Sequence, residues 1–211
     1  MKAYFKINDD KVSVTLLQTS VPLNENEGWL ADIDMRQTIV SIPQEVKNGN
    51  QIYRVTALGH NVFDNCPMKE VVIPASIVEI EWSFYQCRNL LNIKVDDGNT
   101  AFKDVDGVLF TKDGTHLIAC PNARQSYDIP KGVSVIDSFA FKTSLIKTLT
   151  IPETVTEIGH DVFYRANNLH TVNLPMSLTR IGDVQYDTST VFTYKGKTFN
   201  SKDIQGIVNK K

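Results

Sequence analysis

The sequence has little that would serve chemistry. Three of its 211 residues are cysteine, too few for a disulfide framework. No apolar run approaches the ~20 residues of a membrane-spanning helix. Acidic and basic residues nearly cancel, leaving a net charge of −2, so no global field draws the chain to nucleic acid or to an anionic membrane. The N-terminal MKAYFKINDDKV has no apolar core after its lysine and does not read as a signal peptide, which leaves a cytoplasmic protein or a mature, trimmed form. Phosphate-binding loops, dinucleotide fingerprints, nucleophile elbows and zinc-protease helices are all missing from the sequence.

What the chain does have is a phrase written several times. Pro74, Pro130, Pro152 and Pro175 are each followed three residues later by Ile77, Val133, Val155 or Leu178, and six residues later by Ile80, Ile136, Ile158 or Ile181. Phe84, Phe141 and Phe163 follow in the first three copies, and a proline-less copy puts Val55, Leu58 and Phe63 in the same places. Ahead of the prolines, Met68, Val71 and Ile73 match Leu90, Ile93 and Val95, then Ile146, Leu149 and Ile151, then Leu169, Val172 and Leu174. The period is 22 or 23 residues. One such unit cannot bury its own apolar side, so neighbouring copies must cover one another. LHTVNLP suits a strand ended by proline. VTEI suits a second short extended piece, and GHDVFYRANN suits a short helical turn with Phe163 pointing inward.

The order IP-x-x-V-x-x-I-(G)-x-x-x-F-x-x-C-x-x-L-x-x-V-x-IP resembles the BspA-like leucine-rich repeat proteins, over roughly Val55 to Asp183. SIPQEVKNGNQIYRVTALGHNVF resembles the usual start of such an array, and VFTYKGKTFNSKDIQGIV its usual end. The resemblance implies a curved solenoid on, or secreted from, bacterial cells and often linked to adhesion. The expected fold is a β-rich α+β leucine-rich repeat solenoid with short helical turns. It forms a single domain over 1–211: an N-terminal cap at 1–54, repeats at 55–183 and a C-terminal cap at 184–211. Residues 97–128 depart from the pattern. Val108–Phe110 and Leu117–Ile118 flank TKDGT, a hairpin signal, which predicts an inserted hairpin projecting from one edge. The last repeat loses its Phe, as a closing unit should.

The candidate reactive groups mostly dissolve into the repeat. Cys66 and Cys87 share a position with Ser144 and Ala166, so the site asks for a small residue; buried free thiols are expected, with a disulfide or metal pair as the alternative. Cys120 ends a hairpin strand. His60 and His160 lie three repeats apart, roughly 15 Å at the stacking distance of strands, too far to share a metal. Asp96, Asp97, Asp104 and Asp106 make an acidic stretch without the spacing of a Ca²⁺ loop. The lysines of YKGK and VNKK read as solvated. No catalytic residue, cofactor or metal is expected.

Surface remains. The positions between the inward residues of each L-x-x-V-x-I strand face outward, and solenoids commonly bind with such faces. The expected ligand-binding residues are Lys69, Lys94, Lys147, Thr148, His170 and Thr171, with Lys112 and Asp113 at the hairpin turn. The expected function is a non-catalytic module of a bacterial cell-surface or secreted protein, binding a protein or glycan, with adhesion the role the resemblance suggests. Alternatives are a structural spacer within a larger surface protein and a cytoplasmic protein-interaction scaffold. Neither nucleic acid nor membrane insertion is expected.

Overall fold

The structure, a computed structural model, describes residues 2–19, 23–24, 26–183 and 190–209. The chain divides into two units, Met1–Asp104 and Val105–Lys211. In the first, the strands are β1 (Lys2–Ile7), β2 (Ser13–Thr19), β3 (Gly28–Leu30), β4 (Ile39–Ser41), β5 (Glu45–Asn48), β6 (Gln51–Leu58), β7 (Glu70–Ile73), β8 (Glu79–Ile80) and β9 (Asn92–Val95). β10 (Phe102–Val105) crosses the division. The second holds β11 (Val108–Thr111), β12 (His116–Ala119), β13 (Val135–Ile136), β14 (Thr148–Thr150), β15 (Glu157–Ile158), β16 (Thr171–Asn173), β17 (Arg180–Ile181), β18 (Val191–Tyr194), β19 (Lys197–Asn200) and the helix α1 (Ser201–Val208).

The repeats stack in parallel. In the first unit β4, β7 and β9 form one sheet, with Val40 facing Val71 and Val71 facing Ile93. β6 pairs with β8 at the return segment, Ala57 facing Glu79 and Leu58 facing Ile80, an offset of 22 residues. Ahead of the stack, β1 pairs antiparallel with β2 and β3, and β2 lies parallel to β6. In the second unit β12, β13, β15 and β17 run parallel, and so do β14, β16 and β18. The antiparallel β18–β19 pair and α1 follow, with Asn200 capping the helix through bonds from the backbone N–H groups of Lys202 and Asp203. The first six residues of the expected C-terminal cap, 184–189, lie outside the described residues.

The inward repeat positions make the core. Val55, Leu58, Val71, Ile73, Ile77, Leu90 and Ile93 are fully buried in the first unit. Ile136, Leu149, Val155, Ile158, Val172 and Ile181 are buried in the second. The repeated phenylalanines stack from coil to coil. Phe63 and Phe84 lie 5.4 Å apart between ring centres, with Phe84 half-buried. In the second unit Phe163 sits 6.1 Å from Phe141 and 6.1 Å from Phe192. Phe192 comes from β18, beyond the repeat pattern, and supplies the ring that the last repeat lacks.

The return segments are not helical, which corrects the expectation of short helical turns. Among the described residues α1 is the α-helix of the chain. Asn65, Gln86, Thr143 and Arg165, each preceding the small-residue position, hold φ near +57°. Such a left-handed residue cannot continue a right-handed helix. Alternate backbone N–H groups also leave the segment altogether. Asn61, Phe63 and Asn65 donate to the carbonyls of Trp82, Ser83 and Tyr85 in the next coil, and Phe139, Phe141 and Thr143 donate to those of His160, Val162 and Tyr164. The intervening N–H groups bond locally, Asp64 to the carbonyl of Asn61 and Cys66 to that of Phe63. The segment thus exchanges helical bonds for bonds between coils, satisfying its buried backbone.

The hairpin also differs from expectation. β11 and β12 pair antiparallel about Gly114, whose φ of +82° suits the turn. β12 does not project, however. His116 faces Val135 and Leu117 faces Ile136 on β13, so the second hairpin strand occupies a place in the parallel sheet. Cys120 is buried just beyond it and donates its backbone N–H to the carbonyl of Ala140.

Candidate functional site

The outward strand positions divide among three surfaces. Strand alternation places Val71, Ile93, Leu149 and Val172 inside, so their neighbours must face solvent. In the first unit Lys69 and Lys94 are exposed on the face of β4, β7 and β9. Lys94 is partly engaged, because its ammonium lies 3.3 Å from the Asp104 carboxylate, which also accepts the backbone N–H of Val95. In the second unit Lys147, Thr148 and His170 are exposed and Thr171 half-exposed on the face of β14 and β16. Thr148 pairs directly with Thr171, and Thr150 with Asn173 and then Thr193 of β18. Hydroxyls and amides therefore form rows across this sheet. The His170 ring donates from Nδ1 to the carbonyl of Asn168 at 2.6 Å, which leaves Nε2 as an acceptor when the ring is neutral.

Lys112 and Asp113 occupy the β11–β12 turn, on a different sheet from Lys147 and Thr148. Asp113 has a structural task there. Its Oδ1 accepts the Thr111 hydroxyl at 2.6 Å, and the Thr115 backbone N–H and hydroxyl at 2.9 Å each. These bonds to the charged form, led by Thr111, hold its carboxyl down at about 2.

The cysteines are free and buried. The Cys87 thiol donates to the carbonyl of Phe63 at 2.9 Å. Burial raises the Cys66 thiol to about 11 and Cys120 to about 12, and pushes Cys87 up as well. Thiols held in that state are poor nucleophiles.

Two features escaped the sequence reading. Trp82 is 54% exposed and meets the His60 ring edge-on at 5.4 Å. Both follow a repeat Leu or Ile by two residues, a column that continues in the second unit as Ser138, His160 and Asp183. There the backbone N–H of His160 donates to the Ser138 hydroxyl at 2.9 Å. The signal was present in the alignment, but the column's varied chemistry hid it. Second, the irregular segment 31–37 borders three open clefts of about 600, 330 and 300 Å³. Nothing periodic marks this segment in the sequence.

A family model described as the BspA type leucine rich repeat region matches the chain in six copies, over residues 30–106 and 117–202. A comparison with curated proteins gives no match. Among solved structures, a leucine-rich repeat protein from Eubacterium ventriosum is similar at 29% identity with a TM-score of 0.60, covering 67% of this chain and 40% of that one. A leucine-rich repeat protein from Bacteroides ovatus is similar at 20% identity and a TM-score of 0.48, covering 92% of this chain and 52% of that one. A leucine rich cell surface protein from Faecalibacterium prausnitzii is 15% identical with a TM-score of 0.34, covering 88% of this chain and 84% of that one. The chain thus spans about half or less of the length of the first two proteins.

Proposed function

The chain belongs to the BspA-type leucine-rich repeat family, and on that premise we propose that it is a non-catalytic binding module of a bacterial cell-surface or secreted protein, taking a protein or glycan ligand in an adhesive role. The carrying observation is the division of labour along the strands. Inward positions are committed to the core, while the rows of Thr148 and Thr171, and of Thr150, Asn173 and Thr193, lie on an outer face beside Lys147 and His170. Such a face offers many weak hydrogen-bond donors and acceptors rather than an enclosing pocket, which suits a repeating ligand and attachment by avidity. Lys69 and Lys94 serve the corresponding face in the first unit. Lys112 contributes a cation at the hairpin turn, whereas Asp113 works mainly to hold that turn. In this reading the repeats advance by 22 to 23 residues through 55–183, between a cap at 1–54 and a cap at 184–211, with the hairpin of 97–128 inserted. No helix among the described residues is long and apolar enough to cross a membrane.

A screen of the protein against extracellular-matrix proteins and a glycan array tests the reading, followed by hydrogen exchange with the best ligand bound. Protection is expected on β7 and β9, or on β14, β16 and β18. An absence of any hit, or protection confined to the return segments, would overturn it.

A further inference from the structure

Among the described residues, the outer edge of β4 is an open strand edge beside a groove. In a parallel pair the N–H and C=O of one residue point to the same side, and successive residues alternate. The Thr38 carbonyl accepts the backbone N–H of Glu70, and the Ile42 N–H donates to the carbonyl of Val72. Residues 38 and 42 therefore turn toward β7, and Ile39 and Ser41 turn their backbone groups away from it. β7 is the neighbour of β4 in this sheet, and β4 stands at its end. Ile39 and Ser41 are both exposed, Ile39 at 54%. The cleft of about 330 Å³ is lined by these two residues and by Asp32, Ile33, Asp34 and Gln37. Two other strands are covered on the side away from their parallel neighbour. The backbone N–H and carbonyl of Ile181 on β17 are both bonded by the Asn209 side chain, and β18 is covered by β19.

We infer that the edge of β4 and its groove take one extended peptide segment of a partner protein, added as a further strand and carrying a basic side chain toward Asp32 and Asp34. Strand addition supplies affinity through backbone bonds to Ile39 and Ser41, and the groove supplies selection. The charge follows from the lining, whose charged members are both aspartates. Asp34 is partly balanced by Arg36 at 3.1 Å, on a side chain 85% exposed, and Asp32 is exposed. The shortness of β4 and the proline at 43, which cannot donate, limit pairing to a brief segment and guard the edge against open-ended association. This site is separate from the strand faces proposed above.

The test uses the full chain and three capped probe peptides: one alternating Lys and Val, its Glu/Val counterpart, and the Lys/Val peptide N-methylated at alternate amides. Amide exchange followed by NMR reads the footprint. The Lys/Val peptide is expected to slow exchange at Ile39 and Ser41, and the N-methylated one to leave it unchanged. Ser41→Pro, which removes one outward donor, and Asp32→Lys, on the exposed loop, should each weaken binding about tenfold. Lys147→Glu should leave it intact, even if the strand-face reading fails. The inference falls if the footprint lies elsewhere, if none of the peptides binds, if the N-methylated or Glu/Val peptide binds equally well, or if Asp32→Lys changes nothing. Self-association lost on Ser41→Pro would make a second copy of this chain the occupant, and would also overturn it.

Discussion

The Asn209 side-chain amide lies against the backbone of Ile181 as a strand would, its Oδ1 accepting the Ile181 N–H and its Nδ2 donating to the Ile181 carbonyl, both at 2.9 Å. One side chain thereby closes both outward groups at the end of the sheet of β12, β13, β15 and β17. Asn209→Ala should lower stability by about 1–2 kcal/mol in urea denaturation and raise the tendency to associate through the freed edge. Asn209→Asp separates the two bonds, since a carboxylate accepts the N–H but cannot donate to the carbonyl. It should fall no higher than midway between the parent and the alanine variant.

Phe163 carries the ring contacts on both sides, to Phe141 and to Phe192. Phe163→Ala should cost about 3–5 kcal/mol, a large part of the ~5–15 kcal/mol that holds a domain of this kind. An unchanged denaturation midpoint would mean that the repeat phenylalanines are not a structural column.

Coils approach closely at Gly159 and Gly182, each the residue after a repeat Ile. A Cβ on Gly159 would stand 2.4 Å from the backbone nitrogen of Ser138, and one on Gly182 would stand 2.7 Å from backbone atoms of Gly159. Backbone cannot yield as a side-chain tip can, so Gly159→Ala should destabilise by about 1–3 kcal/mol in the same urea measurement. A neutral outcome would show that the coils can separate here.

The Asp113 carboxyl, ordinarily near 3.8, is held to about 2 by the Thr111 hydroxyl first and then by the Thr115 N–H and hydroxyl. A group whose pKa is lowered in the folded state stabilises it above the unfolded value, and that contribution is lost as pH falls toward the folded one. The turn should therefore loosen between about pH 4 and pH 2. The carboxyl carbon shift followed by NMR should give a midpoint near 2; a midpoint near 3.8 would mean that the turn bonds do not form.

The core was legible because its chemistry repeats. Val71, Leu149 and Val172 announce themselves by sharing a register, and so does the small position of Cys66, Cys87, Ser144 and Ala166. The return turns were misread because GHDVFYRANN is short and carries one inward Phe, as a helical turn would, while the Gly159 and Asp161 N–H groups bond to other coils. Sequence periodicity does not say where an N–H will find its acceptor. The hairpin turn was visible in TKDGT, but the parallel pairing of β12 with β13 was not, since the order of strands in a sheet is a tertiary fact. Asn99 is a similar case. It is buried, with its amide donating to the carbonyls of Pro74 and Ile77 and its carbonyl accepting the N–H groups of Ala101 and Phe102. Nothing in its own segment distinguishes it from a solvated loop residue. For the candidate site, the sequence identified which residues face outward; it could not reveal that Lys94 is engaged by Asp104 or that Asp113 is committed to its turn.

Under the proposed function, the outward strand residues bind while the inward ones fold. The most direct measurement compares the affinity of the parent for its best array ligand with that of a chain carrying Lys69→Glu, Lys147→Glu and His170→Glu together. Lys94 is left in place because a glutamate there would face Asp104. The expected result is an affinity at least about tenfold weaker with the same unfolding midpoint. Undiminished affinity at an unchanged midpoint would contradict it.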